Sequence, residues 1–235
     1  MSPSEAIAAC PPPRGARTRI AVPDGTRPVD VTAALDALRP HLSGDIRGIV
    51  GLGLHRPMRT DELPGSPFPL LQHDPDDTVP TAVIDGIPGA ISRHAADADV
   101  LLGVGIVELH QYAGFSGGHK AVAVGLGGRA TLDALHHRDR VTAPGVLLGR
   151  LEGNPFRAAV DRLGAAAGCR WVLLQAGNRW FAGEPVETLR RAAASLECWW
   201  DCATVHPAAI LKVPAKKAVN FYQASRAAKI GRAHV

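Results

Sequence analysis

The sequence predicts a three-layer α/β fold with a mostly parallel sheet, followed by the first strand and helix of a truncated second α/β domain. Three observations predict it. Several apolar runs are continuous rather than alternating, as strands covered on both faces require. Segments with helical spacing of apolar residues separate them. The 235 residues are 46% hydrophobic and 20% charged, enough for a sizeable core, and no solenoid-type repeat is present.

The elements follow in order. Residues 1–17 are rich in Pro and Ala and are expected to be a disordered lead. "TRIAV" (18–22) reads as a strand and "PDGTRP" (23–28) as a turn. "DVTAALDALRPHL" opens on a capping Asp and reads as a helix. "IRGIVGLGL" (46–54) is a buried strand ending at "HRP", and the Pro/Gly/Asp-rich stretch 61–80 is expected to be a long surface loop. "TAVI" (81–84) is a short strand, and "ADVLLGVGIV" (98–107) gives the strongest strand signal. Beyond it, "KAVAVGLGGRATLDALHHRDR" reads as helical pieces broken at Gly-Gly. "NPFRAAVDRLGAAAG" is a helix with Pro in its first turn and Gly at its end. "WVLLQAG" is a strand, "EPVETLRRAAASLECWW" an amphipathic helix, "AAILKV" (208–213) a strand and "KKAVNFYQASRAAK" a helix. The domain boundaries expected are 18–205 for the first domain and 206–229 for the start of the second. The last six residues, "IGRAHV" (230–235), read like a translated sequencing adapter, so a truncated gene and a non-native tail are expected.

Composition narrows the function. The net charge of +4 comes from scattered Lys and Arg, with no basic block interleaved with aromatics, which argues against nucleic-acid binding and suits a small anionic ligand. The cysteines (Cys10, Cys169, Cys198, Cys202) form no C-x-x-C pair and read as reduced thiols. No run approaches membrane length and no basic signal region opens the chain, so a cytoplasmic protein is expected.

In parallel sheets ligands gather at the carboxyl ends of strands, and three candidate clusters fall there. Asp24 and Arg27 follow the first strand, His55 the second, and "HQYAGFSGGHK", with His110, Ser116, Gly117, Gly118 and Lys120, the strongest. Gly-Gly before a helix permits a phosphate cradle and equally a plain turn; no Walker A or G-x-G-x-x-G pattern is present. Imidazoles after separate strands suit proton transfer near neutrality. Arg suits a planar carboxylate. His136 and His137 point in different directions on a helix, so at most one serves a given site. Gln223 and Arg226 lie one helical turn apart on the last helix. Spacing leaves open a three-histidine zinc site from His55, His110 and His136, the basis of a hydrolase reading.

Together these residues resemble the nickel-pincer lactate racemase family. From about residue 18 to 229 the chain carries "PDGTRPV", "GLHRPM", "HDPDD", "ELHQYAGFSGGHKA", "LDALHHRD", "EGNPFR", "FAGEPVE" and "NFYQASRAAK" in the family's order. The resemblance implies a racemase or epimerase of a 2-hydroxy acid using a pyridinium mononucleotide that holds nickel in a sulfur–carbon–sulfur pincer. It implies cofactor-synthesis enzymes as partners. It assigns Lys120 as the tether, with Asp24, Ser116, Gly117 and Gly118 also on the cofactor. His136 is implied as the nickel ligand, His55 and His110 as an acid/base pair, and Arg27, Gln223 and Arg226 as substrate contacts. Two bases on opposite sides would let both enantiomers react. Three departures stand out: His119 where the family usually has Arg, Arg226 where it has Lys, and "KVPAKKAV" in place of a Gly-Gly-x-Pro-x-Asp turn. They motivate a further alternative, a binding relative without turnover.

Overall fold

Residues 1–197 are described by a computed structural model. The chain opens with helix α1 (Pro3–Ala9), strand β1 (Arg17–Pro23), helix α2 (Val31–Leu38) and strands β2 (Asp45–Gly51) and β3 (Leu70–Gln72). A hairpin of β4 (Thr78–Ile84) and β5 (Ile87–Ser92) precedes strand β6 (Val100–Ile106) and the two-residue strands β7 (Leu109–His110) and β8 (Gly114–Phe115). Then come helices α3 (Lys120–Ala123), α4 (Arg129–Leu135), α5 (Arg138–Val141) and α6 (Pro155–Ala166). Strands β9 (Cys169–Ala176) and β10 (Arg179–Gly183) and helix α7 (Pro185–Glu197) complete the described part.

The main sheet has the order β10-β9-β6-β1-β2-β3, all parallel except β10, which pairs antiparallel to β9. The α/β expectation is met. Each central strand feeds both faces by simple alternation. Ile20 and Val22 of β1 join Leu102, Val104, Trp171 and Leu173 beneath α1 and α2, whereas Ala21, Leu101, Val172 and Leu174 face α3 and α7. A third cluster of Ile87, Leu135, Phe156, Val160 and Leu163 packs the hairpin, α4 and α6 outside that layer.

Strand order reverses between β1 and β6: from β1 the chain builds outward to β2 and β3, and from β6 outward to β9. Such a reversal leaves a crevice at the carboxyl ends of the two strands.

The structure departs from the expectations at three places. The lead is not disordered. Ser2 and Glu5 form a capping box at the start of α1, and Ile7 is fully buried against the sheet. The Trp180 N–H donates to the Met1 carbonyl, and Trp171 Nε1–H donates to the Cys10 carbonyl. We expect Ile7→Ala to cost about 2–5 kcal/mol by thermal unfolding, whereas a disordered lead would cost nothing. The stretch 61–80 holds β3 and the start of β4; Leu70–Gln72 pairs with Gly48–Val50, and three residues are too few to show a period. The short strand at 81–84 extends back to Thr78 and turns at Asp85-Gly86, both with positive φ, into a separate hairpin outside the main sheet.

Among the described residues no helix is long and apolar enough to cross a membrane. The boundary at 205/206, the strand at 208–213, the last helix with Gln223 and Arg226, and the tail at 230–235 lie outside the described residues.

Candidate active site at the carboxyl ends of the strands

One cavity of about 430 Å³ opens over the reversal point. Its lining includes Asp24, Arg27, His55, His110, Ser116, Gly117, Lys120 and His136, together with Gly51, Gly105 and Gly125. The three clusters predicted after separate strands therefore meet at one place. Parallel register explains why: β1 and β2 end side by side at Pro23 and Gly51, so Asp24 and His55 emerge as neighbours. Gly118 does not join them. A Cβ there would meet Leu189 and Pro185 of α7, on the side away from the cavity.

His55 Nδ1 lies 2.6 Å from Asp24 Oδ2. The carboxylate also accepts from the Thr26 N–H at 3.1 Å and hydroxyl at 2.6 Å, both on Oδ1. Burial opposes ionisation of Asp24, but the hydrogen bonds from His55 and Thr26 outweigh it and hold the carboxyl below its ordinary range. An ionised carboxylate only accepts, so His55 carries a hydrogen on Nδ1, and in the neutral ring Nε2 has the lone pair.

His110 is 5% exposed and differently held. Its Nδ1 accepts from the backbone N–H groups of Tyr112 (3.3 Å) and Ala113 (3.1 Å), within the turn joining β7 to β8.

His136 caps the last turn of α4, where its Nδ1 donates to the Leu132 carbonyl at 2.8 Å. The rings of Tyr112 and Phe156 pack edge-on against it. A carbonyl cannot donate, so in the neutral ring Nε2 carries the lone pair. A ring nitrogen presented this way, with the other N–H fixed on a backbone carbonyl, is how proteins offer imidazole to a metal. His137 does not line the cavity; it pairs with Asp139.

The glycine turn differs from a phosphate cradle. Gly117 and Gly118 both have positive φ (89° and 61°), and a Cβ on Gly117 would sit 3.2 Å from Val107 Cγ2. The N–H groups of Lys120 and Ala121 turn back onto the Gly117 and Gly118 carbonyls at 3.4 and 3.3 Å. Ser116 is at the cavity, but its hydroxyl donates to the Ile106 carbonyl (2.7 Å) and accepts from the Glu108 N–H (2.9 Å). With its only hydrogen so engaged, Ser116 ties the loop to the strand end.

Sequence reasoning missed two sets of supporting groups. Glu108 Oε2 faces Arg27 Nη1 at 3.6 Å, so the guanidinium stands beside a counter-charge. Arg157, 3% exposed, forks onto Asp161 through Nε (3.0 Å) and Nη2 (2.6 Å) and reaches the Phe115 and Gly117 carbonyls through Nη1. His119 joins them, with Nδ1 3.2 Å from Asp161 and Nε2 3.1 Å from the Cys169 carbonyl. Only Gly164 leaves room for that ring, since a Cβ there would lie 2.5 Å from His119 Cβ. The i,i+4 spacing of Arg157 and Asp161 was the available signal.

Among the described residues, no three His, Cys, Asp or Glu groups gather closely enough to hold a metal ion. The three-histidine zinc site therefore does not form: the rings share a cavity without converging. A metal bound here through one protein imidazole must bring its other donors with it.

The family model described as the lactate racemase N-terminal domain matches residues 11–146. The lactate racemase of Lactiplantibacillus plantarum is 32% identical over 120 residues, 46% of this chain and 28% of that protein. The lactate racemase of Thermoanaerobacterium thermosaccharolyticum is 27% identical over 149 residues, 57% of this chain and 35% of that protein. Among solved structures, the lactate racemase apoprotein from T. thermosaccharolyticum superimposes with a TM-score of 0.74 at 22% identity, covering 83% of this chain and 55% of the other. A Thermotoga maritima protein reaches 0.58 at 19% identity, covering 82% and 56%. At these identities the structural likeness shows the fold. The chain spans about a third of the length of the curated relatives and about half of the solved ones.

Proposed function

Because this chain belongs to the lactate racemase N-terminal domain family, we propose that it forms the cofactor-holding and proton-handling part of a racemase or epimerase of 2-hydroxy acids. The observation that carries the reading is the convergence of His55, His110, Arg27, Lys120 and His136 on one cavity at the strand-order reversal.

The residues present fit a nickel-pincer nucleotide. His136 offers one neutral imidazole through Nε2, which suits a metal whose remaining donors come from a sulfur–carbon–sulfur pincer. Lys120 brings its amine to the same cavity, where a thioamide tether would form, and 430 Å³ lies within the range of small-ligand sites. When bound, such a group supplies an electrophilic pyridinium carbon that accepts hydride from C2 of the substrate and returns it.

The chain's own part is to place the substrate and move its proton. Arg27 holds the carboxylate, and the nearby Glu108 keeps the guanidinium from swinging out. His55 takes the hydroxyl proton at Nε2, and the positive charge that forms on its ring is met by Asp24. C2 is planar only when both the hydroxyl proton and the C2 hydrogen, as hydride, have gone, and their return to either face would complete either enantiomer. Ser116 and the Arg157–Asp161–His119 network fix the loop that carries Lys120. Substrate is thus a small 2-hydroxy acid, and the cofactor-synthesis enzymes are the expected partners.

Production of the complete protein together with those enzymes tests this. Intact mass should show an adduct on the peptide containing Lys120, with nickel retained, and His136→Ala should keep the adduct while losing nickel. An unmodified Lys120, or zinc in place of nickel, contradicts the proposal.

A further inference from the structure

Lys120 opens α3 and His136 follows the end of α4, so the stretch between them sets how the amine and the imidazole face one another across the cavity. That stretch is poorly suited to hold itself. α3 has four residues and α4 seven, too few for a helix to be stable alone. The link between them, "VGLGG" (124–128), has three glycines and the backbone freedom they bring. Its shape must come from its neighbours.

Those neighbours take up its backbone groups in turn. From the β4–β5 hairpin, the Ser92 N–H donates to the Leu126 carbonyl (2.8 Å) and the Ala90 carbonyl accepts from the Gly128 N–H (3.2 Å). The main sheet meets the link at Gly51, where a Cβ would sit 3.0 Å from Gly125 Cα, and through the Gly53 N–H on the Gly125 carbonyl (3.0 Å). His73, the first residue of "HDPDD", adds a side-chain bond from the same sheet edge. Its own N–H donates to the Val50 carbonyl of β2, and its Nε2 lies 3.0 Å from the Gly127 carbonyl. A carbonyl only accepts, so Nε2 carries a hydrogen. The ring is 2% exposed, and burial pushes its pKa down, so near neutrality it has that one hydrogen to give. Nδ1 is buried as well and meets no hydrogen-bond partner among the described residues. Burying a bare nitrogen has a cost, and the bond to Gly127 is the side-chain contact that offsets it. Further along the motif, Asp76 accepts a fork from Arg129 (2.6 and 2.5 Å), but both side chains are exposed and such a pair contributes little.

We infer that His73 is a positioning residue: through the Gly127 carbonyl it fixes the glycine link, and with it the placement of His136 relative to Lys120. It does not line the cavity and touches neither substrate nor cofactor. The inference rests on the racemase reading and deepens it, because the His136 imidazole meets a metal-bearing group tethered on Lys120 only if that placement holds. The bond needs a donor of the right reach and no charge.

Nickel release to a chelator from the complete enzyme, produced with the cofactor-synthesis enzymes, tests this, with the Lys120 adduct followed by intact mass. His73→Leu keeps bulk and loses the donor. We expect it to keep the adduct and to release nickel about tenfold faster, the scale of one lost buried hydrogen bond. His73→Gln places an amide N–H near the position of Nε2 and should stay within about twofold of the parent. Should the Leu variant fail to fold, His73→Asn takes its place, its shorter amide falling short of Gly127. A Leu variant that holds nickel as firmly as the parent overturns the inference, and so does a Gln variant that loses it as fast as Leu. Adduct, nickel and melting temperature falling together in both variants would show a merely structural role and overturn it too.

Hydrogen–deuterium exchange of the complete, cofactor-free protein reads the same bond without nickel. In His73→Leu the segment 124–136 should exchange about tenfold faster, with β1, β6 and β9 unchanged; unchanged exchange in 124–136 overturns the inference. The two failures are separable. If the parent carries adduct and nickel but the Leu variant matches it, the positioning inference falls and the racemase reading stands. If the parent carries neither, the racemase reading falls, and exchange of 124–136 still decides the role of His73.

Discussion

Asp24→Asn is expected to lower turnover of the complete enzyme by roughly 10³–10⁴-fold with little change in KM, the scale seen where an oriented His receives the wrong tautomer. The substitution keeps size and shape, and the amide oxygen can still accept from the Thr26 N–H and hydroxyl. What changes is the atom facing His55 Nδ1. An amide nitrogen there donates, so the ring moves its hydrogen to Nε2 and the proton acceptor disappears. The charge that formerly balanced the imidazolium goes with it. Steady-state kinetics on a folded Asn variant decide the matter: turnover near that of the parent would mean that Asp24 does not set the ring.

The largest stability effect is expected from Arg157→Met. Arg157 is buried, forks onto Asp161, and tethers the Phe115 and Gly117 carbonyls of the glycine turn. Removing one member of such a network strands its partners, and the cost is about 3–5 kcal/mol. For a chain of this size that lowers Tm by on the order of 10 °C. Asp161 gives the same network a pH signature. Its burial disfavours the charge, but His119 and Arg157 prevail and set the folded value below the ordinary 3.8. A depressed carboxyl contributes stability that is present above the unfolded value and lost as pH falls through the folded one. The parent should therefore lose stability on acidification below about pH 4, and the Met variant should lose less of it. A melting temperature within about a degree of the parent would show that Arg157 carries no such load.

The legible parts of the fold were those in which local pattern and tertiary role agree. β1, β2, β6 and β9 are apolar on both faces and so stand out as continuous runs. Pro155 and the following apolar spacing announce α6, which the Asn154 side chain caps by accepting from the Arg157 N–H. β3 was hidden because a three-residue edge strand has no period, and β5 because Pro88 and Gly89 interrupt it. α1 was obscured by its Pro and Ala content, although Ser2 and Glu5 spell a capping box. In the site, which residues meet was readable because each closes a strand. How they meet was not. The Asp24–His55 contact depends on the register of β1 with β2, and the setting of the His110 ring depends on a tight turn whose N–H groups no sequence pattern marks.

The central claim, that this cavity serves to invert the configuration of a 2-hydroxy acid, is tested most directly on the complete nickel-loaded enzyme with a panel of enantiopure 2-hydroxy acids, following optical activity to equilibrium. The account predicts that at least one member decays to a mixture of configurations, and that the decay disappears in His55→Ala. Retention of configuration by every member, on an enzyme shown to carry nickel and the Lys120 adduct, would contradict it.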